Sequence, residues 1–234
     1  MTDIQVSRVQ LRSTEYWDKV FSSRSWGAYP PEELIRFIAR NFGNVKNRSE
    51  INILEVGCGP GPNVWYLARE GYKVAGIDSS PTAIQRARER LNADRLPSGG
   101  GVVDLQVGNF VNLPWPADSF DAAADVSALY ANTLADIRLA INEIHRVLKV
   151  GGLFFGKMFG TETTGSNTGE SIESGTRRRP DIGPCAGNEV AHFFSRIELQ
   201  ELFSTFSDLS IDFTLRSDYS GEVKIFHWLV SARK

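Results

Sequence analysis

The chain has 234 residues, 41% of them apolar, and 26 basic side chains nearly balance 28 acidic ones for a net charge of −2. Such a chain buries roughly 70 to 75% of its unfolded surface without help from disulfides or metal, and near-neutral charge excludes the broad electrostatic footprint of a non-specific nucleic-acid binder. No run approaches the ~18 consecutive apolar residues of a membrane helix, the start lacks the parts of a secretory signal, and two cysteines fit a reducing compartment and cannot supply four zinc ligands, so a cytoplasmic protein with no metal is expected.

Aromatics concentrate first, from Tyr16 and Trp17 to Trp26 and Tyr29. Such rings either pack on a sheet or turn their faces to a cationic ligand. Short apolar runs follow at 51–57, 73–77, 102–107 and 120–126, alternating with helical patterns, which predicts a mostly parallel sheet covered on both faces. Ile84, Ala87 and Leu91 after Pro81 give one helical stripe, and Ile137, Ala140, Ile141, Ile144, Val147 and Leu148 give another, stopped by Gly151 and Gly152. The stretch from Thr161 to Val190 is rich in Gly, Thr, Ser and Arg without periodicity, and reads as a functional lid or a disordered loop. Ser195 and Glu198 then form a capping box ahead of Leu199, Leu202, Phe203 and Phe206. The alternating run at 209–215 and the apolar run at 223–230 predict an edge strand and a buried strand, joined as an antiparallel hairpin.

The informative loop is Leu54-Glu55-Val56-Gly57-Cys58-Gly59-Pro60-Gly61-Pro62, at a strand end and a helix start. Its glycines allow a sharp turn and close approach to a ligand, and the following helix offers free N–H groups. Pro62 stands where a G-x-G-x-x-G dinucleotide fingerprint demands glycine, so the spacing is one residue tighter. Asp78 ends the next strand at the offset of a ribose-binding acid, which implies an adenosine-type ligand.

Together ILEVGCGPG, GYKVAGIDSSPTAI, GNFVNLPWPADSFDAAAD and EIHRVLKVGGLFF make residues 50–160 resemble the class I S-adenosylmethionine-dependent methyltransferases of the bacterial type-11 group. The resemblance implies an α/β fold: a Rossmann-like, mostly parallel seven-stranded sheet of order 3-2-1-4-5-7-6, strand 7 antiparallel, with helices on both faces. It also implies S-adenosylmethionine as cofactor. Glu55, Gly57, Gly59 and Gly61, with Cys58 among them, would line its methionine part. Asp78 and Ser79 would hold the ribose, Asn109 and Phe110 would flank the adenine, and Asp125, Val126 and Tyr130 would lie near the sulfonium. Asn109 replaces the family's usual aspartate and Val150 its usual proline. After the fourth strand Asp125-Val126-Ser127-Ala128 stands in place of the Asn/Asp-Pro-Pro-aromatic motif of base amino-methyltransferases, so nucleic acid is not the expected partner.

A single domain over residues 1–234 follows: a cap segment (1–45), a cofactor-binding core (50–160), an insertion or substrate lid (161–191), and a C-terminal helix with two strands (192–234). The expected reaction is methyl transfer to an oxygen of a small molecule such as a sugar, glycan intermediate or secondary metabolite. The alternatives are an RNA or protein methyltransferase and a non-catalytic sensor or partner subunit. A hydroxyl acceptor needs a base, for which His192 is the candidate; His145 and His227 read as structural. Tyr16, Trp17 and Trp26 are candidate acceptor contacts. Arg177, Arg178 and Arg179 would suit an anionic acceptor, or form a solvated tract.

Overall fold

The central strand β1 (Asn52–Val56) pairs in parallel with β2 (Lys73–Asp78) on one side and β4 (Phe120–Val126) on the other, Leu54 standing opposite both Ala75 and Ala123. This computed structural model describes residues 8–93, 101 and 103–234. Beyond β2 lies β3 (Val103–Val107). Beyond β4 come β5 (Leu148–Phe159), then a C-terminal strand (Val223–Arg233) antiparallel to it, then the edge strand Ser207–Asp218. The expected seven-stranded order and the antiparallel hairpin are both present.

Alternation along the strands separates two cores. Ile53, Ala122 and Ala124 face α2 (Glu32–Phe42), α3 (Pro62–Arg69) and α4 (Pro81–Ala93), where Leu34, Ile38, Leu67 and Ile84 are buried. Leu54, Val56 and Ala123 face α5 (Leu134–Val147), whose Ile137, Ile141 and Ile144 form the predicted stripe. Thr133 caps α5, its hydroxyl accepting from the Asp136 N–H. The chain steps outward from β1 to β2 and β3 and then crosses back to β4 on the other side of β1, and at this reversal a crevice opens at the carboxyl ends of the strands. An N-terminal helix, α1 (Arg8–Ser23), lies over it. Gln10 Nε2 donates to Asp136 Oδ1 (2.8 Å) and Ser13 Oγ to the Ala131 carbonyl (3.1 Å), and Asp18 Oδ1 accepts from Ser80 Oγ (2.5 Å) and the Thr82 N–H (3.0 Å) at the start of α4.

The segment after β5 departs from the expectation of an unstructured lid. It contains β6 (Glu170–Glu173), β7 (Thr176–Arg178) and β8 (Ala191–His192), a second, three-stranded antiparallel sheet. Thr163, Thr176, Cys185, Asn188 and Glu189 are buried in it, so polar hydrogen bonds hold a segment whose pattern lacks an apolar stripe. α6 (Arg196–Leu202) follows, with β9 (Ser207–Asp218) and β10 (Val223–Arg233) completing the main sheet. Ser195 caps α6, but Glu198 turns its carboxylate to His192 instead of closing the predicted box. Among the described residues no helix is long and apolar enough to cross a membrane.

Candidate active site

The crevice is a cavity of about 430 Å³ under α1, within the size range of small-molecule sites. Its floor is the loop leaving β1. Gly57 has φ +63°, and a Cβ there would come within 2.1 Å of Ala128 Cβ, so glycine lets the β1 and β4 loops touch. Gly61 does something else: with φ +78°, a Cβ would lie 2.8 Å from Ala87 Cβ, so it sets the approach of α3 to α4. Gly61 does not line the cavity, whereas Gly57, Cys58 and Gly59 do. Burial pushes the Cys58 thiol far above its usual range, leaving it inert.

Three carboxyls surround this floor. Asp78 Oδ2 accepts from the Gly59 N–H and Oδ1 from the Ser80 N–H, both at 2.9 Å; burial raises its pKa to about 6, with the two backbone bonds opposing. Glu55 Oε1 accepts from Asn63 Nδ2 (2.5 Å), its Oε2 has no partner, and burial, helped by the nearby Asp125 and Asp78, lifts its pKa to about 8. Asp125 Oδ1 accepts from the Ala128 and Leu129 N–H groups (2.9 and 3.0 Å), its Oδ2 is unpartnered, and burial lifts it to about 7. Glu55 and Asp78 line the cavity; Asp125 stands behind it and shapes the loop, aided by Ser127 at φ +57°. No lysine or histidine lines the cavity among the described residues, and its single cation is Arg24. Desolvated carboxyls without cationic partners suit a ligand that brings its own positive charge. They do not suit a pyrophosphate.

Of the other predicted cofactor contacts, Ser79, Asn109, Phe110, Val126 and Tyr130 all reach the cavity. Asn109 also braces its own turn, Oδ1 accepting from the Val111 N–H at 3.1 Å. The aromatic segment divides its work: Tyr16, Trp17 and Trp26 line the cavity, and Trp17 packs edge-on to Tyr16, Trp26 and Tyr130 with centroids 5.4 to 6.5 Å apart. Ser13, Thr14, Asn132, Pro184 and Asn188 line it as well and were not legible beforehand. The amphipathic run of α1 could have pointed to the first two; the sequence holds no signal for the last two.

Other candidates are held away from the cavity. His192 is fully buried, Nδ1 against Thr176 Oγ1 (2.7 Å) and Nε2 against Glu198 Oε2 (2.8 Å), and it does not line the cavity. Both ring nitrogens are committed, which contradicts the expectation of a base facing the acceptor. His145 stacks edge-on to Phe206, and His227 packs on Phe159 with a pKa lowered by burial to about 4. Two of the three arginines are paired with carboxylates locally. Arg177 Nε donates to the Ser166 carbonyl, Arg178 meets Glu170 (3.1 Å) and Glu189 (3.5 Å), and Arg179 meets Glu189 (3.0 Å); none lines the cavity. The triplet is therefore not brought to the cavity, where an acceptor contact was expected.

Comparison with known proteins agrees with this geometry. Residues 54–156 match the family described as "Methyltransferase domain". A methyltransferase of Synechocystis is 34% identical over 102 residues, 44% of each chain. A demethylmenaquinone methyltransferase of Symbiobacterium thermophilum is 35% identical over 107 residues, 44% of this chain and 40% of that one. The chain thus spans less than half the length of these curated relatives. Among solved structures, an S-adenosylmethionine-dependent methyltransferase of Methanosarcina mazei aligns with TM-score 0.65 and 28% identity, over 78% of this chain and 92% of that one. The 1,6-didemethyltoxoflavin-N1-methyltransferase of Burkholderia thailandensis, solved with S-adenosylhomocysteine, shares the fold at TM-score 0.62 and 18% identity, over 96% and 84%.

Proposed function

We propose, from the premise that residues 54–156 form a class I S-adenosylmethionine-dependent methyltransferase domain with S-adenosylmethionine as its cofactor, that this chain moves a methyl group onto an oxygen of a small-molecule acceptor. The observation that carries the reading is a pair of buried carboxyls, Glu55 and Asp78, lining one cavity with no cationic partner.

Bound S-adenosylmethionine supplies an electrophilic methyl carbon on a positively charged sulfur. In this reading Glu55 and the turn at Gly57 to Gly59 hold the methionine part, Glu55 offering its unpartnered oxygen to the ammonium. Asp78, with Ser79, accepts from the ribose hydroxyls through lone pairs its two backbone bonds leave free. Asn109 and Phe110 flank the adenine. Val126 and Tyr130 stand at the reacting end, and Asp125 fixes the Ala128–Leu129 turn beside them.

Tyr16 and Trp17 of α1 and Trp26 beyond its end line the same cavity, with the Trp17 ring edge-on to Tyr130. Aromatic faces attract a cation and bury a planar or apolar acceptor body, which favours a secondary metabolite over a sugar or glycan. Such a site lowers the barrier mainly by alignment, worth roughly 7 to 11 kcal/mol in favourable cases.

The test is release of S-adenosylhomocysteine from S-adenosylmethionine in the presence of small-molecule pools. Acceptor-dependent release that disappears in Asp78→Ala supports the proposal. Equal release by Asp78→Ala, or stabilisation by NAD in place of S-adenosylmethionine, would overturn it.

A further inference from the structure

Three elements distant in sequence meet at the acceptor end of the cavity through one side chain. Asn188, from the 161–191 segment, accepts at Oδ1 from the Tyr16 hydroxyl of α1 (2.9 Å) and donates from Nδ2 to the Tyr130 hydroxyl beyond β4 (3.0 Å). The donors therefore run in one direction, Tyr16 to Asn188 to Tyr130. At the end of the chain the Tyr130 proton has no acceptor among the described residues, and Tyr130 lines the cavity. Burial holds this phenol well above its usual pKa, so it stays a donor.

That donor stands in a cavity without a base. The chain's three histidines lie outside it, and the carboxyls that line it, Glu55 and Asp78, occupy the cofactor's seat. An alcohol acceptor would have to lose its proton to a group that is not there. An amine has one lone pair, and receiving the Tyr130 proton would occupy it. An oxygen anion has lone pairs for both tasks.

We propose that the acceptor enters with its nucleophilic oxygen already ionised, as a carboxylate or an acidic phenol, and that Tyr130 receives this oxygen with Asn188 as the positioning residue. The inference rests on the methyltransferase reading. The acceptor oxygen bonds to the methyl carbon as the carbon–sulfur bond breaks with its electron pair left on sulfur. The two opposite charges cancel, and no proton remains for the protein to remove.

The test is calorimetry on the protein saturated with S-adenosylhomocysteine, titrated at pH 7.5 with 3-phenylpropanoate, 4-nitrophenol, the methyl ester of the first, 3-phenylpropan-1-ol and 3-phenylpropylamine. The two acids should bind at least about tenfold more tightly than the ester, alcohol or amine, the margin expected of a hydrogen bond to a charged group. Tyr130→Phe and Asn188→Ala should each erase that discrimination, Asn188→Ala should leave S-adenosylhomocysteine affinity within about twofold, and the double variant should lose no more discrimination than either alone. The proposal fails if neither acid binds, if the alcohol or amine binds as well as the acids, or if both variants keep the discrimination. Failure of S-adenosylhomocysteine itself to bind would instead sink the cofactor reading, and this inference with it.

Discussion

At the scale of single residues, the site is built from carboxyls kept partly protonated by burial, and this has a definite signature in pH. Glu55 near 8 and Asp125 near 7 sit far above the values they take in an unfolded chain. A folded state with raised carboxyl pKa values holds more protons than the unfolded one, so its stability falls as pH rises through those values. His227, lowered to about 4, acts in the opposite sense only until the imidazole of the unfolded chain, near 6.5, has lost its proton, at about pH 7. Urea unfolding of the cofactor-free protein should therefore show a midpoint that declines between about pH 7 and about 8 and levels off above that, and Glu55→Gln should flatten most of the decline; a flat wild-type profile would contradict these environments. A cationic ligand reverses the bias, so the thermal shift given by S-adenosylmethionine should shrink strongly in Glu55→Gln. His192 makes a separate case. With both nitrogens bonded inside the fold, His192→Ala should cost about 1 to 3 kcal/mol in denaturant unfolding and leave S-adenosylhomocysteine affinity unchanged. Full stability with lost turnover would restore it as a base.

At the scale of elements, the helix over the site is pinned where it meets α4. Asp18 accepts from both Ser80 and Thr82, and the Ser80 hydrogen bond holds its carboxyl below the usual range. Asp18→Ala should cost about 1 kcal/mol, as for other helix caps, and should raise hydrogen exchange across α1 more than across α3; unchanged exchange would show that α1 is held by its aromatic face alone. The elements also differ in how far they could be read from sequence. The loop of Gly57 and Gly59 and the placement of Asp78 were legible because strand, turn and offset are dictated by backbone geometry. The 161–191 segment was not, since its three short strands are tied by buried threonines, Asn188 and Glu189 and not by an apolar period. His192 was misplaced for the same reason: adjacency to the segment did not reveal that its ring turns inward to Thr176 and Glu198. Glu170 and Glu189, close in sequence, were a signal that Arg178 and Arg179 would be paired within the segment.

At the scale of the whole molecule, a mostly parallel sheet follows from alternation of apolar runs and helices, its strand order is the one the family resemblance implies, and that order places the crevice at the reversal beside β1. What the sheet does not determine is the roof. Here the roof combines α1 with Pro184 and Asn188 of the connection between β7 and β8, joined through Tyr16 and Tyr130. The common core therefore supports the cofactor reading, and the parts outside it bear on the acceptor. The central claim is that the crevice takes a cationic sulfonium nucleoside through Glu55 and Asp78. Its most direct measurement is isothermal titration of the purified protein with S-adenosylmethionine, beside NAD and beside Asp78→Ala. The account predicts saturable one-to-one binding of S-adenosylmethionine, a loss of at least about tenfold in Asp78→Ala from the charge-assisted ribose bonds, and no heat with NAD. Binding of NAD, or equal affinity of the variant for S-adenosylmethionine, would contradict it.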